Sequence, residues 1–480
     1  MKIVIANSVG IDQAGYKMIH YPSRWTTGVK RAYFAWYPWE LAYLSSLLKR
    51  ETPYSIKMID GCLQQFNFEK YLNVISSIRP DILVMESSSR TIEEDLKLAL
   101  EVKKRFGTKL IFCGQHPSAY PKELSDKVDF ICQGEYEFTV LDIIQGKKRE
   151  EIPGLYPNPL RPPLDVNLLP WPEDNDIRRI DYCYPGPAGL KYRQIQAYSS
   201  RGCPYRCSFC VCSNLYYSRP TWRARDTDDV VKEILYLRRK YNKMEGIFFD
   251  EEIHNFSRTH VVELCRKIID AGLNNLHYTA MGMYNTLDEE VLELMKRAGY
   301  YQLRIGIETA SEKIAEQIGM KGKFNIKKLY QVLEIAKKLG LEIYGTFIIG
   351  APGSNKTEDT KTIALMKDLL RKELICELQV SICTPQPGTP FYNIADKQNI
   401  LLTKDWQKYD GTSESVISYP GYSKNEIESV FQQAIDIGHY YRGWISLKKD
   451  GLLATLIKAF KKRGLVGTAR LIIKHLRAEI

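Results

Sequence analysis

The chain has 480 residues, 44% of them hydrophobic, and a formal net charge of +11 at pH 7. That length is too great for one ordinary hydrophobic core, so we expect about three domains of roughly 150 residues each. The sequence contains neither a membrane-spanning apolar run nor the long apolar core of a signal peptide, and we therefore expect a cytoplasmic protein.

Residues 1–145 alternate short apolar runs with segments whose apolar residues recur at helical spacing. Such alternation is typical of a parallel sheet with helices on its faces, so we predict a Rossmann-like layer. Ligands of these sheets bind at the carboxyl ends of the strands, and "MESSS" (85–89), "CGQHP" (113–117) and "CQGEYE" (132–137) are polar segments at three such ends. The predicted strands are "KIVIA", "SIKMID", "DILVM", "KLIFC" and "VDFIC".

Residues 146–193 include the Pro-rich segment "GLYPNPLRPPLDVNLLPWPED" and are predicted to form an extended linker. A second α/β series in residues 194–395 predicts a partial (β/α)6 barrel, whose chemistry belongs at the carboxyl ends of its strands. Residues 396–480 are predicted to be mainly helical, so the fold class is α/β with a helical C-terminal region. The six barrel strands are "QIQAYSS", "GIFFD", "LHYTA", "QLRIGIE", "EIYGTFIIG" and "LQVSIC".

The positive charge is concentrated at the end of the chain. Residues 440–480 contain ten Lys or Arg and two Asp or Glu, so the rest of the chain carries only +3. This distribution argues against nucleic-acid binding by the body of the protein and favours a local anionic contact. The tail is apolar on one helical face and basic on the other, which fits packing on its own protein, peripheral membrane contact or an anionic partner. Self-packing is the commonest of these three outcomes.

A loop after the first barrel strand, "SSRGCPYRCSFCVCSN" (199–214), holds four of the eleven cysteines. Disulfides are rare in a reducing compartment, so metal binding is the leading interpretation. Cys203, Cys207 and Cys210 have the spacing C-x3-C-x2-C, and a cubane 4Fe-4S cluster held by three cysteines keeps one iron open for chemistry. The alternatives are buried thiols and a structural zinc with Cys212 as fourth ligand. Zinc usually takes two separated CxxC-like pairs, so we expect Cys212 to be a non-ligand neighbour.

This loop resembles the CxxxCxxC motif of the radical S-adenosylmethionine (SAM) superfamily, in which an aromatic residue, here Phe209, precedes the last cysteine. The resemblance spans about residues 195–395. Three later segments resemble SAM-facing segments of the family, and a fourth resembles the sequence that closes the barrel in one subgroup. In chain order they are "FFDEE" (248–252), "LRIGIETAS" (303–311), "GTFIIGAPGSNKTED" (345–359) and "TPQPGTPFY" (384–392).

The resemblance implies a SAM site made from these segments. Asp250 and Glu252 would lie near the SAM amino group, Glu308 would face SAM, and Gly350 and Pro352 would let the backbone approach the adenine. It also implies that the open iron chelates SAM. One electron from a flavodoxin- or ferredoxin-type donor then cleaves SAM to a 5′-deoxyadenosyl radical, which abstracts hydrogen from a small-molecule substrate. No side chain is predicted as a catalytic residue.

Two further polar residues, His254 and Lys321, are not assigned a firm functional role. His254 is expected to be a structural hydrogen-bonding residue rather than a metal ligand. Lys321, in "GMKGK", is interpreted equally as a solvated lysine or as a contact to SAM or substrate.

The N-terminal layer, linker and barrel together resemble the cobalamin-binding subgroup of radical SAM enzymes. "CGQHPSAYPKE" and "VDFICQGEYEFTVLDI" look like segments of that subgroup's first domain, with Gln115 in place of a second glycine. The sequence has no D-x-H-x-x-G motif, whose His ligates cobalt in other cobalamin domains, so bound cobalamin should lack that ligand. The residues implied as cobalamin contacts are Ser87, Gly114, Gln115, His116, Gly134 and Glu135.

Two alternatives concern this first region. One is a Rossmann-like domain that keeps the fold and has lost its ligand. The other is a radical SAM methylthiotransferase acting on transfer RNA, which would carry three further cluster cysteines. Cys62, Cys113 and Cys132 are the candidates, but they lie mostly inside predicted strands, and we discount this alternative.

The resulting hypothesis is a cobalamin-dependent radical SAM enzyme that transfers a methyl group to an unactivated carbon. The first alternative is a radical cyclase or rearrangement enzyme acting on a hydrophobic, tetrapyrrole-like or lipid-like substrate, similar to the anaerobic magnesium-protoporphyrin ester cyclase. An alternative of another class is a non-catalytic iron-sulfur or cobalamin sensor that binds a partner through the tail. The sequence does not identify the substrate.

Overall fold

Two parallel sheets and a long C-terminal helix make up the computed structural model of the chain. It describes the helical backbone but not the side chains of residues 443–450. The described residues are 1–451 without 22–23, 31–32, 185, 188, 218, 321 and 413, together with 457, 460, 461, 464 and 467.

The N-terminal sheet has five parallel strands in the order β4-β1-β5-β6-β7. All five strands predicted from the apolar runs are confirmed. This is the flavodoxin-like order, in which the chain reverses direction across the sheet between β1 and β5, and ligands bind at such a switch point. The strands of this sheet are β1 (Lys2–Ala6), β4 (Ser55–Ile59), β5 (Ile82–Glu86), β6 (Lys109–Cys113) and β7 (Phe130–Ile131); β2 (Lys17–Tyr21) and β3 (Trp25–Val29) form a separate pair.

Helices flank this sheet, and the third of them shows why they form. Three acidic residues (93–95) lie in its first turn and three basic residues (103–105) in its last, which complements the helix dipole. Leu98, Ala99 and Val102 are buried against the sheet. The helices are α1 (Trp39–Glu51), α2 (Phe68–Ile78), α3 (Ile92–Phe106), α4 (Gln115–Ala119), α5 (Pro121–Leu124) and α6 (Glu137–Ile144).

Strands β2 and β3 form an antiparallel hairpin that the sequence analysis did not predict. The hairpin packs on the carboxyl end of β5. His20 Nε2 lies 3.1 Å from Glu86 Oε2, and the Ser88 hydroxyl donates to Thr26 Oγ1 at 2.8 Å. Residues from outside the sheet therefore cover part of its ligand-binding edge.

Residues 146–193 contain no strand among the residues that the structure describes, and their role as a linker stays a prediction. They are nevertheless packed against both sheets and do not form a free spacer. Glu173 accepts a hydrogen bond from Ser45 of α1 at 2.7 Å, and buried Arg179 pairs with Glu233 of the barrel region at 2.5 Å. This segment thus joins the two α/β regions through buried polar contacts.

The second sheet has six parallel strands in the order β15-β14-β13-β12-β11-β8, so strands adjacent along the series are adjacent in space. The partial (β/α)6 barrel is confirmed. A small antiparallel pair, β9 and β10, follows the first barrel strand. The strands are β8 (Gln194–Ala197), β9 (Ser200–Arg201), β10 (Arg223–Ala224), β11 (Gly246–Phe249), β12 (His277–Gly282), β13 (Tyr300–Glu308), β14 (Glu342–Ile349) and β15 (Glu377–Ile382).

Amphipathic helices cover the outer face of this sheet, and most begin with a side-chain cap. Asp226, Asp288 and Asn355 each accept a hydrogen bond from a backbone amide of the first turn. The helices are α7 (Thr227–Lys240), α8 (Arg258–Asp270), α9 (Glu289–Arg297), α10 (Glu312–Gln317), α11 (Ile326–Lys338), α12 (Lys356–Arg371) and α13 (Pro390–Lys397).

A long helix, α14 (Lys424–Asp450), ends the described part of the fold and packs on α12 and β15. Its buried residues include Ile427, Val430 and Ala434. Most of the basic tail lies outside the described residues, so its three alternative roles stay open. Within the described part of the chain, no helix combines the length and apolar character needed to cross a membrane.

Candidate active site

The three motif cysteines lie in a loop whose two ends are joined by β9 and β10. The backbone amide of Thr221 donates to the carbonyl of Cys203 at 2.9 Å, which closes the loop at its base. Gly202 has φ of +99°, and a Cβ there would overlap the carbonyl of Thr221. The glycine before the first cysteine is therefore required by close backbone approach.

Asn214 fixes the inner part of the loop. Its side-chain amide donates to the carbonyls of Cys207 at 2.7 Å and Cys210 at 2.8 Å. The amide of Ser208 donates to Ile318 O at 3.0 Å and ties the loop to the end of α10. The loop is therefore held by backbone contacts, while the cysteine thiols make no disulfide.

Burial and hydrogen bonding shift the pKa values of the loop thiols in opposite directions. Burial raises the pKa of Cys203 to about 12 and that of Cys207 to about 11. A hydrogen bond from Cys212 instead lowers the pKa of Cys210 to about 6. Cys212 is thus placed to support a ligand thiolate through a hydrogen bond, although its predicted non-ligand role stays a prediction.

Lys323 supplies the positive charge that faces these thiols. Burial lowers its pKa, but Cys207, Cys203 and Glu308 outweigh burial and raise it. Its ammonium also lies 5.0 Å from the centroid of the Tyr205 ring. The sequence pointed to Lys321 as a solvated lysine or a contact to SAM or substrate, and that residue lies outside the described residues; the role of Lys323 was not predicted.

The geometry of the loop fits a cluster. Three free thiols from one loop face a lysine, which suits a negatively charged tris-thiolate site. Among the described residues, no three His, Cys, Asp or Glu side chains converge as ligands of a single metal ion. Three thiols from one loop are nevertheless the donor set that a 4Fe-4S cubane with one open iron takes, and their role as its ligands stays a prediction.

The acidic segment after β11 packs against the base of the cysteine loop. Glu252 accepts hydrogen bonds from the amide of Gly202 at 2.9 Å and the hydroxyl of Tyr217 at 2.7 Å. The Asp250 carboxyl is buried, and burial raises its pKa well above the usual range. Both residues thus lie at the barrel mouth, and their SAM contacts stay predictions.

His254 lies behind that segment. Its Nδ1 is 2.7 Å from Glu251 Oε1 and its Nε2 is 2.8 Å from the hydroxyl of Tyr300. Both ring nitrogens are engaged in buried hydrogen bonds, as a structural role requires.

Glu308 ends β13 in an unusual backbone conformation. Its φ is +66°, a left-handed value that is costly for a residue with a Cβ, and the pairing with β14 shifts between Gly306 and Glu308. A Cβ on Gly306 would lie 2.6 Å from Glu308 Oε1, so the "GIE" glycine leaves room for the carboxylate. Burial raises the pKa of Glu308 to about 7. The strained backbone of Glu308 and the space left by Gly306 together indicate that this carboxyl group is held in a defined position.

The turn after β14 contains the other SAM candidates. Gly350 and Gly353 have φ of +71° and +72°, and Pro352 is buried between them. Asp359 of α12 accepts hydrogen bonds from the Gly350 amide at 2.8 Å and the Ser354 hydroxyl at 2.5 Å. The turn is therefore held rigidly from one side.

Two tyrosines of the C-terminal region hold the same turn from the other side, and the sequence analysis missed both. The Tyr419 hydroxyl donates to the carbonyl of Ala351 at 2.9 Å, and the Tyr422 hydroxyl donates to Asp359 Oδ2 at 2.8 Å. Their separation in sequence from the turn hid this relation. Phe209, the aromatic of the motif, is half-buried against the core.

The hairpin brings further residues to the barrel mouth. Arg24 Nη2 lies 3.6 Å from Glu252 Oε1. The ring centroids of Trp36 and Phe248 lie 5.9 Å apart. The guanidinium of Arg304 lies over two rings, 5.0 Å from the Phe248 centroid and 4.6 Å from the Tyr344 centroid. An aromatic residue from the N-terminal region thus packs beside an aromatic and guanidinium cluster of the barrel.

The cobalamin candidates lie at the carboxyl edge of the N-terminal sheet, and their polar groups bond to protein. Ser87 donates to Asp95 at 2.6 Å, and Gln115 Oε1 accepts from the amide of Ser89 at 2.7 Å. His116 Nδ1 lies 3.0 Å from the Ser89 hydroxyl, and burial lowers the pKa of His116 to about 4.

The other three cobalamin candidates are constrained by close backbone packing, at two glycines, and by ion pairs, at one glutamate. Gly114 has φ of +98°, and a Cβ there would lie 2.7 Å from Glu86 Cγ; at Gly134 it would lie 2.9 Å from the carbonyl of Tyr216. Glu135 pairs with two barrel arginines, Arg201 at 3.2 Å and Arg223 at 2.8 Å. Their cobalamin contacts stay predictions.

A cleft of about 600 Å³ opens beside the switch point. Its lining includes Asp12, which follows β1, Arg90, which follows β5, and Lys408 of the C-terminal region. Further carboxylates line it at Glu93, Glu94, Asp405, Asp410 and Glu414.

The comparison with protein families identifies the class. Residues 198–366 match the family model described as the Radical SAM superfamily. The match spans the cysteine loop, the acidic segment, Glu308 and the turn after β14. The chain therefore contains a radical SAM domain, and the resemblance seen in its motifs is confirmed. This domain implies a 4Fe-4S cluster and SAM as its cofactors.

Particular relatives extend the likeness beyond that domain. An uncharacterized methyltransferase of Pyrococcus horikoshii is 28% identical over 429 residues, covering 86% of this chain and 89% of the relative. The radical SAM methyltransferase TsrM of Kitasatospora setae, solved with cobalamin and a 4Fe-4S cluster, has a TM-score of 0.62 at 16% identity, covering 84% of this chain and 76% of TsrM. The cobalamin-dependent SAM radical enzyme OxsB, solved with aqua-cobalamin and SAM, has a TM-score of 0.66 at 15% identity, covering 99% of this chain and 72% of OxsB. These structures establish a shared fold.

Proposed function

We propose that the protein is a cobalamin-dependent radical SAM enzyme that transfers a methyl group to an unactivated carbon of a small molecule. One observation carries the proposal: a single hairpin, β2 and β3, contacts the carboxyl strand ends of both the flavodoxin-like sheet and the radical SAM barrel. The hairpin bridges them, with His20 at the end of β5 and Arg24 at the end of β11. Likeness to a methyltransferase over most of the chain supports methyl transfer over ring closure.

In this proposal Cys203, Cys207 and Cys210 hold the cluster. When bound together, the cluster and SAM supply the reductive cleavage that yields a 5′-deoxyadenosyl radical. The chain's own part is to hold and orient. Lys323 balances the thiolate charge, and it lies where it can also face the carboxylate of SAM.

The remaining SAM contacts follow from charge and backbone shape. Glu252 offers a carboxylate and Asp250 a buried carboxyl group to the SAM ammonium, and Glu308 is held in its strained conformation to face the same ligand. The turn at Gly350 and Pro352 presents backbone rather than side chains, which suits close approach of a flat adenine. The buried setting of these groups excludes water from the site.

Cobalamin fits the donor set at the switch point. The six carboxylates of the cleft accept hydrogen bonds, as the amide-bearing periphery of a corrinoid requires, and the phosphate of cobalamin would lie outside this acidic cleft. A corrinoid is larger than this cleft, so only its peripheral groups would enter it. Ser87, Gln115 and His116 would form the adjoining strand-end contacts. When bound, cobalamin carries the methyl group that is transferred.

The substrate would bind within the barrel near Phe248, Trp36 and Arg304, which lie close together. Aromatic faces and a guanidinium favour a molecule with a flat or apolar part and an anionic or polar group. A flavodoxin- or ferredoxin-type protein would deliver the electron.

Metal content is the first test. Protein made anaerobically with cobalamin should contain about four irons and about one cobalt per chain. Iron without cobalt would remove the methyl-transfer proposal and leave a radical SAM enzyme. The matched control is the Cys203→Ala variant, which should lose iron and keep cobalt.

Labelled SAM separates the functional alternatives. With SAM carrying an isotopic methyl group, the proposal requires label in the product and 5′-deoxyadenosine in the mixture. Ring closure would form 5′-deoxyadenosine and leave the product unlabelled. A sensor would bind both cofactors and form no 5′-deoxyadenosine at all.

A further inference from the structure

Two arginines mark the beginning and the end of the cysteine loop. Arg201 ends β9 and Arg223 begins β10, and the two residues are directly paired in the antiparallel ladder. All three motif cysteines lie between them. The position of these arginines therefore sets the base from which the loop projects.

Both arginines bind carboxylates of the N-terminal region. Arg201 Nη1 lies 2.6 Å from Glu137 Oε1 and 3.2 Å from Glu135 Oε1. Arg223 Nη1 donates to both oxygens of Glu135, at 3.0 and 2.8 Å. Glu135 follows β7 and Glu137 begins α6, so one short segment holds both ends of the loop.

The four groups form a buried and electrically balanced set. Arg201, Glu135 and Glu137 are 1%, 5% and 0% exposed. The guanidinium of Arg201 also lies 5.2 Å from the Tyr43 ring centroid, and that of Arg223 lies 5.2 Å from that of Tyr217. An unpaired charge at this depth would be costly, so the four side chains are held in their paired positions. We call this set of two arginines and two glutamates the joint.

One further contact leads from this joint to the SAM candidates. Tyr217, under the Arg223 guanidinium, donates its hydroxyl to Glu252 at 2.7 Å. Glu252 in turn accepts from the amide of Gly202, the residue before Cys203. A shift of Arg223 would therefore reach both the cysteine loop and the acidic segment.

We propose that Glu135 and Glu137 are positioning residues for the iron-sulfur cluster, acting through Arg201 and Arg223 on the base of the cysteine loop. The N-terminal region thus determines the geometry of the cluster loop, whatever ligand it binds at its strand ends. The inference rests on the assignment of the cluster to Cys203, Cys207 and Cys210, and it is independent of cobalamin.

The test compares Glu135→Gln with a matched variant. Glu233→Gln removes another buried carboxylate that pairs with two arginines, Arg179 at 2.5 Å and Arg225 at 2.6 Å, neither of them within the loop. Both variants lose a buried carboxylate that pairs with two arginines, so a general loss of stability affects them alike. Any difference between them at the cluster loop reports positioning.

The first readout uses protein without cluster. Alkylation of Cys203, Cys207 and Cys210 under reducing conditions, followed by peptide mass spectrometry, measures how often the loop opens. Buried Cys113 and Cys132 serve as internal references for global opening. Glu135→Gln should speed alkylation of the three loop cysteines about tenfold or more over the references, because a broken buried ion pair weakens local structure strongly.

The second readout uses reconstituted protein. Glu135→Gln should shift or broaden the electron paramagnetic resonance signal of the reduced cluster, with cobalt content unchanged, and Glu135→Asp should restore the signal. Arg223→Lys is a milder second variant that keeps the charge and loses the two-oxygen contact. If Glu135→Gln does not fold, Arg223→Lys takes its place, and it should also speed alkylation of the loop cysteines and alter the cluster spectrum.

Three results would overturn the inference. The first is equal alkylation and equal spectra in Glu135→Gln and Glu233→Gln. The second is loss of cobalt with an unchanged cluster loop, which would make Glu135 a cobalamin contact instead. The third is failure of Glu135→Asp to restore the signal. If wild-type protein binds no cobalt, the proposed function fails while the alkylation readout still decides the positioning role.

Discussion

Gly306→Ala should weaken SAM binding while leaving the fold intact. The new Cβ would lie 2.6 Å from Glu308 Oε1, whereas ordinary contact begins at 3.4 Å, so the carboxylate must retreat by about 0.8 Å. A hydrogen bond of ordinary length stretched by that amount is lost. The backbone at Gly306 is not left-handed, and alanine in place of glycine inside a strand is itself mildly favourable.

The magnitude follows from the lost contact. A hydrogen bond to a charged group contributes about 1.5–3 kcal/mol, which corresponds to roughly 10- to 100-fold weaker SAM binding. Isothermal titration of SAM into cluster-loaded protein measures this change, and the thermal midpoint of unfolding should stay within a few degrees. Gly322→Ala adds the same methyl group where no atom lies within 4 Å, and it should leave SAM affinity unchanged.

A specific pair of results would refute this reasoning. If Glu308→Gln weakens SAM binding but Gly306→Ala does not, the carboxylate does not need the room that the glycine leaves. If neither variant affects SAM binding, Glu308 does not contact SAM.

Three further predictions concern other parts of the site. Ala in place of Cys203, Cys207 or Cys210 should abolish the cluster absorbance, and Cys212→Ala should retain it; loss of the cluster in Cys212→Ala would make Cys212 a ligand. Tyr419→Phe and Tyr422→Phe should each raise KM for SAM about 2- to 10-fold with kcat unchanged, since Tyr419 bonds to the turn after β14 and Tyr422 bonds to Asp359, which holds that turn. Tyr330→Phe, which loses a similar bond to Asp368 elsewhere, is the control and should leave KM unchanged. Burial lowers the pKa of His116 from 6.5 to about 4, so the unfolded chain takes up the proton at a higher pH than the folded chain does. The free energy of unfolding should therefore fall by up to about 3 kcal/mol as pH drops from about 6.5 to about 4. His116→Gln should flatten this pH dependence in urea titrations, and an unchanged slope would contradict the assignment.

Much of the fold was predictable because the strands are buried on both faces. "ILVM" at β5 and "KLIFC" at β6 are continuous apolar runs, and such runs are the mark of parallel strands. The hairpin of β2 and β3 escaped prediction because "KMIHY" and "WTTGV" mix polar and apolar residues without a fully apolar run. Its stability comes from contacts with the edge of another sheet.

The candidate site was predictable only where the motif is local. The four cysteines lie within ten residues, 203–212, and their spacing together with the family resemblance predicts shared ligation by three of them. Lys323 lies two residues from Lys321, and the sequence does not show which lysine turns toward the thiols. The contact of Tyr422 with Asp359 spans 63 residues and that of Arg223 with Glu135 spans 88, so only the folded chain reveals them.

The two C-terminal tyrosines have a consequence for building chimeric enzymes. The turn after β14 lies inside the segment that matches the radical SAM family, but Tyr419 and Tyr422 hold it from outside that segment. A graft cut at the family boundary would therefore carry a SAM-facing turn without its outer support. Exchange of substrate specificity between relatives should place its junction beyond Tyr422, so that the turn and its two tyrosines come from the same parent.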